Sequence, residues 1–329
     1  FEYEETMKTI GWNGNNRTII AEFIEKNRCD NCKTKPVAVF DWDNTVVFND
    51  IGDYFFSWML EHDLFKYPDW KKASPYLTDE AVTIIKENCP DESGFIKGSD
   101  HKCFQILTDI YVKGTLPDGS AAFTGFDPDL YQPAYAFLSH LLAGYSVKDL
   151  EILCEQAVKE AVQEEEVLIY PEMQWLIDEL FKTGFDVWII SASPQILVET
   201  FAKRAGIDPK NVVGVRNVTE NGLLTYDLKG CGPFRDKDNR MMTYRIGKRC
   251  WMNELIFGIT GTTALLPAED LSKRPLFAAG DSDTDVHFMM DAKGLRLLIN
   301  RNKPEITKMA VENTDRLWLM NEPFIKKMR

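Results

Sequence analysis

Short, wholly apolar runs recur along the chain and are separated by longer segments with helical periodicity. The first run is Val37–Phe40, and the later ones are Val187–Ile190, Leu276–Ala279 and Leu295–Ile299. Runs of this length without polar residues are typical of parallel strands that are buried on both faces. Their alternation with helical segments predicts an α/β fold, a Rossmann-like doubly wound parallel sheet.

The helical segments around the second run carry recognisable start and stop signals. Glu172–Lys182 predicts a helix that ends just before Gly184, where a helix C-terminus favours glycine. Gln195–Ala205 predicts the next helix, with Ser193 as its N-cap and Pro194 as its first residue. Near the N-terminus, the spacing of apolar residues in Thr18–Ile24 indicates an amphipathic helix.

Residues 50–168 interrupt this alternation with a long stretch that is rich in aromatic residues and helical periodicity. We interpret it as a mostly helical cap domain inserted after the first strand, over the carboxyl edge of the sheet. Residues 1–49 and 169–329 then form the core domain. Within the core, Val212–Leu228 predicts a small β-flap, because β-rich stretches flank the hairpin signal Asn221-Gly222. At 329 residues the chain exceeds the usual size of a single hydrophobic core.

The charge of the chain limits the partners that it can bind. The sequence has 38 Lys and Arg against 51 Asp and Glu, a net charge of −13. Such a surface repels a phosphate backbone, so we expect no nucleic-acid partner. A small phosphate-bearing substrate would need local positive charge, from a metal ion and a lysine, and a cationic head group would suit the acidic field.

The sequence leaves the compartment and the oligomeric state open. No apolar run is long enough to span a membrane, so we expect a soluble protein. The chain begins with Phe1 and shows no signal peptide, which fits an exported protein whose signal has been removed as well as a cytoplasmic one. The seven cysteines suit one or two disulfides in the first case and free thiols in the second. Cys29 and Cys32 have metal-ligand spacing, but no second pair accompanies them, which argues against zinc.

Two acidic residues follow the first predicted strand directly, in Asp41-Trp42-Asp43-Asn44-Thr45. Open α/β sheets bind ligands at the carboxyl ends of their strands, so both carboxylates are expected at a ligand site. The second strand ends in Ser191-Ala192-Ser193, where a hydroxyl and free backbone N–H groups make an anion site. Each element alone could be an ordinary turn or helix cap.

A third strand ends in an acidic cluster, Gly280-Asp281-Ser282-Asp283-Thr284-Asp285. These carboxylates would repel one another without a cation, and oxygen-rich clusters of this kind suit Mg²⁺. Lys248 lies between the second and third elements in the chain and is our candidate for neutralising phosphate. The alternative candidates for neutralising phosphate are Lys229, Lys237 and Arg249. Recurrence of such elements at three strand ends predicts one common site.

The elements together resemble the four motifs of the haloacid dehalogenase superfamily. The nucleophile motif is Asp41 to Thr45, and the later motifs are Ser191, Lys248 and Asp281 to Asp285. The helical insertion resembles the first-type cap of that superfamily, and the whole pattern is similar to its phosphoserine-phosphatase-like branch, including bacterial phosphorylcholine phosphatases.

This resemblance implies a role for each matching residue. Asp41 is the nucleophile that forms an aspartyl-phosphate, and Asp43 is the general acid and base. Lys248 neutralises the charge of the transferred group. The remaining assignments are phosphate binding by Thr45, Asn44, Ser191 and Ala192; Mg²⁺ binding by Asp41, the backbone carbonyl of Asp43, and Asp281; and support of these ligands by Asp285 and Ser282.

The predicted activity is Mg²⁺-dependent hydrolysis of a small phosphomonoester. Dehalogenases of the superfamily lack the acid that Asp43 supplies here, whereas a phosphomutase uses it too and stays an alternative. A catalytically inactive binding protein on the same fold is the other alternative.

The substrate is expected to resemble phosphocholine or phosphoserine. The cap is rich in aromatic and acidic side chains, which can hold an ammonium group by cation–π attraction and charge, although large aromatic residues more often form a core. The residues concerned are Trp58, Phe65, Tyr67, Trp70, Tyr76, Phe123, Phe126, Tyr131, Tyr135 and Tyr145, with Asp50, Asp53, Asp127 and Asp129.

Overall fold

A computed structural model describes residues 7–327 of the chain. Its strands, in chain order, are β1 Met7–Thr9, β2 Val37–Phe40, β3 Val47–Phe48, β4 Asp91–Glu92, β5 Phe95–Ile96, β6 Leu168–Ile169, β7 Asp186–Pro194, β8 Val212–Val215, β9 Asn217–Glu220, β10 Leu223–Leu228, β11 Phe277–Gly280, β12 Leu295–Ile299, β13 Trp318–Asn321 and β14 Ile325–Lys327.

The α-helices are α1 Asn16–Lys26, α2 Ile51–Glu61, α3 Trp70–Ala73, α4 Asp79–Asn88, α5 His101–Lys113, α6 Pro133–Leu141, α7 Val147–Gln163, α8 Pro171–Lys182, α9 Gln195–Ala202, α10 Ile246–Phe257, α11 Val286–Asp291 and α12 Pro304–Glu312. Short 3-10 turns lie at Lys203–Ala205, Pro209–Asn211, Gly261–Leu265, Leu271–Lys273 and Asp283–Asp285.

The central sheet has six strands among residues 7–327, in the order β13-β12-β11-β2-β7-β8. Every pair of neighbours in it is parallel. The strand that carries the first acidic motif, β2, therefore lies in the middle, between β11 and β7. This arrangement confirms the predicted doubly wound α/β fold with its parallel sheet.

Successive residues of the central strands enter two different hydrophobic clusters, because side chains alternate between the faces of a strand. In β2, Ala38 and Phe40 join one cluster while Val39 joins the other. The first cluster contains residues of α1, α8 and α9, and the second contains residues of α10, α11 and α12. Helices therefore cover both faces of the sheet, which explains why the strands are wholly apolar in sequence.

Two local predictions around the sheet are wrong. Val212–Val215 is not part of a flap but the edge strand of the sheet, because all four residues are buried against β7. Only β9 and β10 form the predicted hairpin. Ser193 is not a helix N-cap either, since β7 continues through Pro194 and α9 begins at Gln195. The hydroxyl of Ser193 instead points to Asp43.

Residues between β3 and β6 form the helical insertion. The two short strands pair antiparallel, Val47 with Ile169 and Phe48 with Leu168, so the chain leaves and re-enters the core side by side. Helices α2 to α7 lie between them. Buried residues of these helices share one hydrophobic cluster with residues of the central strands and of α8 and α9. The insertion is thus packed onto the face of the sheet that α8 and α9 also cover.

Two disulfides join cysteine pairs that are close in sequence. Cys29 bonds to Cys32 after α1, and Cys89 bonds to Cys103 between α4 and α5. The remaining three cysteines are unlinked and buried, and these are Cys154, Cys231 and Cys250. Within the described part of the chain, no helix combines the length and the apolar character that crossing a bilayer requires.

Replacing Gly184 with Ala should destabilise the fold more than the same change at Gly206. Both glycines have φ +82, a left-handed conformation that costs an alanine about 1–2 kcal/mol. At Gly184 the added methyl would also collide with the backbone oxygen of Cys29, whereas nothing lies within 4 Å at Gly206. We expect Gly184→Ala to lower the free energy of unfolding by about 3 kcal/mol or more, and Gly206→Ala by about 1 kcal/mol, in urea titrations. Equal losses would contradict the close approach.

Candidate active site

The first acidic motif lies at the carboxyl end of β2, in the middle of the sheet. The backbone N–H of Asp41 donates to the oxygen of Ala279 at 3.0 Å, so the pairing with β11 continues as far as this residue. Asp281 follows Ala279 by two residues and lies just past the end of β11. Two carboxylates that are far apart in the chain therefore meet because their strands are neighbours.

Lys248 lies on α10 and is 1% exposed. Its ammonium group is 2.9 Å from Oδ1 of Asp41 and 2.6 Å from Oδ1 of Asp285. Burial alone would lower the pKa of Lys248, but the two carboxylates outweigh it, and the pKa lies above its usual range. Of the rival basic residues, Lys237 pairs with Glu220 and Arg249 with Asp291, while Lys229 is exposed on the surface.

Asp281 is held from two sides. The hydroxyl of Thr45 donates to its Oδ1 at 3.0 Å, and Arg301 donates to its Oδ2 at 2.6 Å. The same hydroxyl lies 3.2 Å from Oδ2 of Asp41, so Thr45 sits between the two carboxylates. Thr45 is completely buried.

Asp285 closes the cluster but has no free oxygen. Its Oδ1 accepts from Lys248, and its Oδ2 accepts the backbone N–H groups of Asp281 and Ser282 at 3.0 and 3.2 Å. Oxygens of Asp41, Asp281 and Asp285 lie within 4.8 Å of one another. Asp41 and Asp281 line the cavity above the sheet edge, whereas Asp285 does not and instead orders the loop behind them.

Asp43 is buried, and each of its oxygens accepts a hydrogen bond. The backbone N–H of Ile51 donates to Oδ1 at 2.8 Å, and the hydroxyl of Ser193 donates to Oδ2 at 2.7 Å. Burial raises the pKa of Asp43 to about 7, although the bond from Ser193 opposes the shift. Burial also raises the pKa of Asp41 to about 7, against the opposing charge of Lys248.

Of the remaining predicted site residues, some line the cavity and others lie beneath it or at its rim. Asn44 and Ala192 line the cavity above Asp41. Ser191 is fully buried, and its hydroxyl accepts the N–H of Ser193 at 3.1 Å. Ser282, at the rim, shares a 2.8 Å hydrogen bond with the hydroxyl of Thr284. Every predicted site residue therefore lies in or directly beneath one cluster, and their individual roles stay predictions.

A cavity of about 310 Å³ opens above the carboxylates. Its far wall is formed by the cap through Tyr111 and Tyr135. Gly52, in the first turn of α2, makes room here, because a methyl group on it would lie 2.9 Å from the hydroxyl of Ser193 and 3.0 Å from Asp50 and from Tyr111. The absence of a side chain thus allows core and cap oxygens to converge.

A second, larger chamber of about 760 Å³ continues from the first and shares Asn44, Asp50, Asp53 and Arg301 with it. Its walls are strongly acidic, and the carboxylates are Asp50, Asp53, Glu61, Glu160, Glu164 and Glu166. Arg301 is the one permanent cation among the lining residues that the structure describes. The hydroxyl of Tyr54 donates to Glu164, and the indole N–H of Trp58 donates to Glu160. Both donors are neutral, so these hydrogen bonds do not cancel the negative charge of either carboxylate. We call this space the acidic chamber.

Most of the cap aromatics that we considered for a cation-binding box are core residues instead. The buried ones are Trp58, Phe65, Trp70, Phe123, Tyr131 and Tyr145. Of the residues considered, only Tyr135 faces the catalytic cavity and only Trp58 contributes to the acidic chamber. Among the cap acids considered, Asp50 and Asp53 line both spaces, whereas Asp127 and Asp129 line neither.

Sequence reasoning missed four contributors to the site, and three of them left a weak signal. Arg301 follows the buried strand β12 at the same sheet edge as the acidic motifs. Ser193 stands two residues beyond Ser191, where strand alternation returns it to the same side. Gly52 is a glycine in the first turn of a helix, which suggests a close approach. Tyr111 gave no signal beyond its residue type.

Comparison with solved structures supports the fold. The chain is similar to a conserved, functionally unknown protein from Anaerococcus prevotii, at 20% identity and a TM-score of 0.62, covering 98% of each chain. It is also similar to a protein of unknown function from Bordetella pertussis, at 15% identity and a TM-score of 0.54, covering 89% of this chain and all of the other. A substrate-bound phosphoserine phosphatase aligns more distantly, at 17% identity and a TM-score of 0.40, over 84% and 91% of the two chains.

Among curated proteins, none matches this chain significantly. The family model of haloacid dehalogenase-like hydrolases matches residues 120–290. That range is just over half of the chain and contains the Ser191, Lys248 and Asp281 elements. As its sequence motifs predict, the chain belongs to the haloacid dehalogenase-like hydrolases.

Proposed function

We propose that this hydrolase cleaves a small phosphomonoester through an aspartyl-phosphate on Asp41. The observation that carries the proposal is the convergence of Asp41, Lys248 and Asp281 at one sheet edge, below a cavity. A buried carboxylate paired with a buried ammonium group gives a nucleophile beside a fixed positive charge. That pairing suits attack on phosphorus, where negative charge must be offset.

Asp43 is the proposed general acid and base. Its carboxyl group is fixed by Ile51 and Ser193 and lines the cavity next to Asp41. In the first step Asp43 gives its proton to the leaving oxygen of the substrate. In the second step it takes a proton from the water that attacks the aspartyl-phosphate, which restores both groups. Ser193 is the proposed positioning residue, because its hydroxyl holds the oxygen Oδ2 of Asp43.

The donor set suits Mg²⁺. Asp41 and Asp281 offer hard carboxylate oxygens at one point, and Mg²⁺ is usually held by one or two carboxylates. The backbone carbonyl of Asp43 is the proposed third protein ligand. When bound, the ion supplies positive charge that polarises the phosphoryl group. Lys248 and Asp285 keep the Asp41 carboxylate oriented from the other side.

We propose that the substrate carries an amine or quaternary ammonium group. The acidic chamber is continuous with the catalytic cavity and holds six carboxylates against one arginine. Burial raises the pKa of both Asp50 and Asp53, which stand at the junction of the two spaces, and a cation bound there would favour their charged forms. Phosphocholine has this charge pattern. Phosphoserine adds a carboxylate that the chamber repels, so we place it second.

We propose the division of the chain given by the sequence, with a core of residues 1–49 and 169–329 and a cap of residues 50–168. The antiparallel pairing of β3 with β6 supports it, because the chain crosses between the two parts there. In this arrangement the core supplies the phosphate chemistry, and the cap supplies most of the acidic chamber.

Asp41→Asn should remove turnover while leaving the protein folded. The amide is a poor nucleophile, and Lys248 keeps Asp285 as a partner. We expect release of inorganic phosphate from p-nitrophenyl phosphate to fall by at least about a thousandfold. Asp127→Asn, an exposed loop carboxylate, is the matched control and should keep full activity. Undiminished phosphate release by Asp41→Asn would refute the nucleophile. A wild-type protein that transfers the phosphoryl group of a sugar bisphosphate to a hydroxyl of a second sugar phosphate, with little release of inorganic phosphate, would instead be the phosphomutase.

Mg²⁺ should stabilise the folded protein through Asp281. An ion that binds only the native state stabilises it by RT ln(1 + c/Kd), where c is the free ion concentration, so the melting temperature rises with the logarithm of c once this exceeds Kd. We expect a concentration-dependent rise on adding MgCl₂ to the metal-stripped protein, its loss in Asp281→Asn, and its retention in Asp127→Asn. Differential scanning calorimetry measures this without turnover. An equal rise in Asp281→Asn would exclude that carboxylate as a ligand.

The ammonium preference is testable with a neutral isostere. Choline phosphate and 3,3-dimethylbutyl phosphate have nearly the same shape and differ in one positive charge. We expect kcat/KM to favour choline phosphate by at least about tenfold, equivalent to about 1.4 kcal/mol. Asp53→Asn should shrink that ratio several-fold, and Asp127→Asn should not. A ratio near one in the wild-type enzyme would eliminate the ammonium proposal while leaving the phosphatase intact.

A further inference from the structure

Two of the unlinked cysteines face each other in the core beneath the sheet. Cys231 lies in the loop after β10, and Cys250 lies on α10, two residues beyond Lys248. Their Sγ atoms are 2.7 Å apart, a separation not far above the covalent S–S length of about 2.05 Å. Both side chains are almost completely buried, in the hydrophobic cluster that contains residues of α10 and α11.

The backbone beside Cys231 is adapted to this approach. Gly232 has φ +63, which favours glycine, and a methyl group on it would lie 2.8 Å from Sγ of Cys250. Any larger residue at this position would push the two cysteines apart. Gly232 therefore leaves no side chain of its own between the two thiols.

We propose that Cys231 and Cys250 form a third disulfide in this protein, beside Cys29–Cys32 and Cys89–Cys103. The inference does not depend on the catalytic proposal. It assigns a modification site to a pair that the reaction does not use. Cys154 then stays the single thiol of the seven cysteines.

The oxidation is a two-step exchange with a small-molecule disulfide such as oxidised glutathione. One cysteine thiolate attacks the glutathione disulfide, forms a mixed disulfide and releases one glutathione thiol. The second cysteine attacks the mixed disulfide, forms the Cys231–Cys250 bond and releases the other glutathione. Two protein thiols lose two electrons and two protons, and one glutathione disulfide gains them.

The bond is expected to form during folding, before the pair is enclosed. The hydrogen bond to Cys250 and burial both raise the pKa of Cys231, so little thiolate is available once the protein has folded. The cross-link would tie the loop after β10 to the helix that carries Lys248. It thereby fixes the first turns of α10 against the core.

Thiol counting by mass spectrometry tests the proposal on the full-length chain. The protein is refolded in a buffer of reduced and oxidised glutathione, then denatured with iodoacetamide and without reductant. We expect one alkylated cysteine per chain, Cys154, and a linked peptide that contains Cys231 and Cys250. The Cys89–Cys103 peptide is the internal reference for oxidation. Alkylation of Cys231 and Cys250 in most molecules would overturn the assignment.

Matched variants distinguish the effect of the cross-link on thiol count and melting temperature from the effect of side-chain packing. Cys154→Ser should leave no alkylated cysteine, and Cys231→Ser should leave two, Cys154 and Cys250. In calorimetry, the oxidised wild type should melt on the order of 5 °C above oxidised Cys231→Ser/Cys250→Ser. The gap should narrow when both proteins are reduced. A gap of the same size in the oxidised and reduced proteins would mean that the hydroxyl substitutions alone cause it.

Discussion

The site depends on one electrostatic constraint, which is that buried carboxylates at a single sheet edge need a buried cation. Lys248 meets it by bonding Asp41 and Asp285 at once, at 2.9 and 2.6 Å. Removing water from unpaired charges of this kind is expensive, so the network exists only with all partners in place. Arg301 offsets the negative charge of Asp281 in the same way, at the rim of the site. The charged groups whose burial is costly are the same groups that we propose to bind a metal ion and a phosphate group.

The sequence predicted those parts of the fold whose signal is local. Apolar runs such as Val37–Phe40 predicted β2, β7, β11 and β12, four of the six strands of the central sheet among residues 7–327, but no run predicted β13. The acidic residues that follow β2 and β11 predicted where the candidate site lies. Val212–Val215 was misread because a nearby hairpin signal competed with its apolar character. The function of Ser193 could not be read from local pattern, because a good cap residue and a hydrogen-bond donor to a carboxylate 150 positions away look alike.

The cap shows why composition cannot separate a core from a binding surface. Its aromatic residues suggested a box for a cation, but Phe65 and Trp70 fill the interior of the cap. Carboxylates are costly to bury in an apolar core and are found at surfaces and cavity walls more often than aromatic rings are. Asp50 and Asp53, two of the cap acids considered in the sequence, line both the cavity above Asp41 and the acidic chamber. Core and cap share one hydrophobic cluster, so the shape of that chamber depends on packing across both.

The order of strands in the sheet also governs when the active site can exist during synthesis. β2 is made early, but its neighbour β11 emerges after most of the chain, and Thr45 and Asp281 are 236 positions apart. Until β11 inserts, one edge of β2 has no partner, and Asp281, with the Arg301 that pairs with it, is not yet beside Asp41. Contacts of such long range are slow to form and leave strand edges exposed meanwhile. Enzymatic activity in this protein is accordingly a late event of folding, and its first appearance marks completion of the sheet.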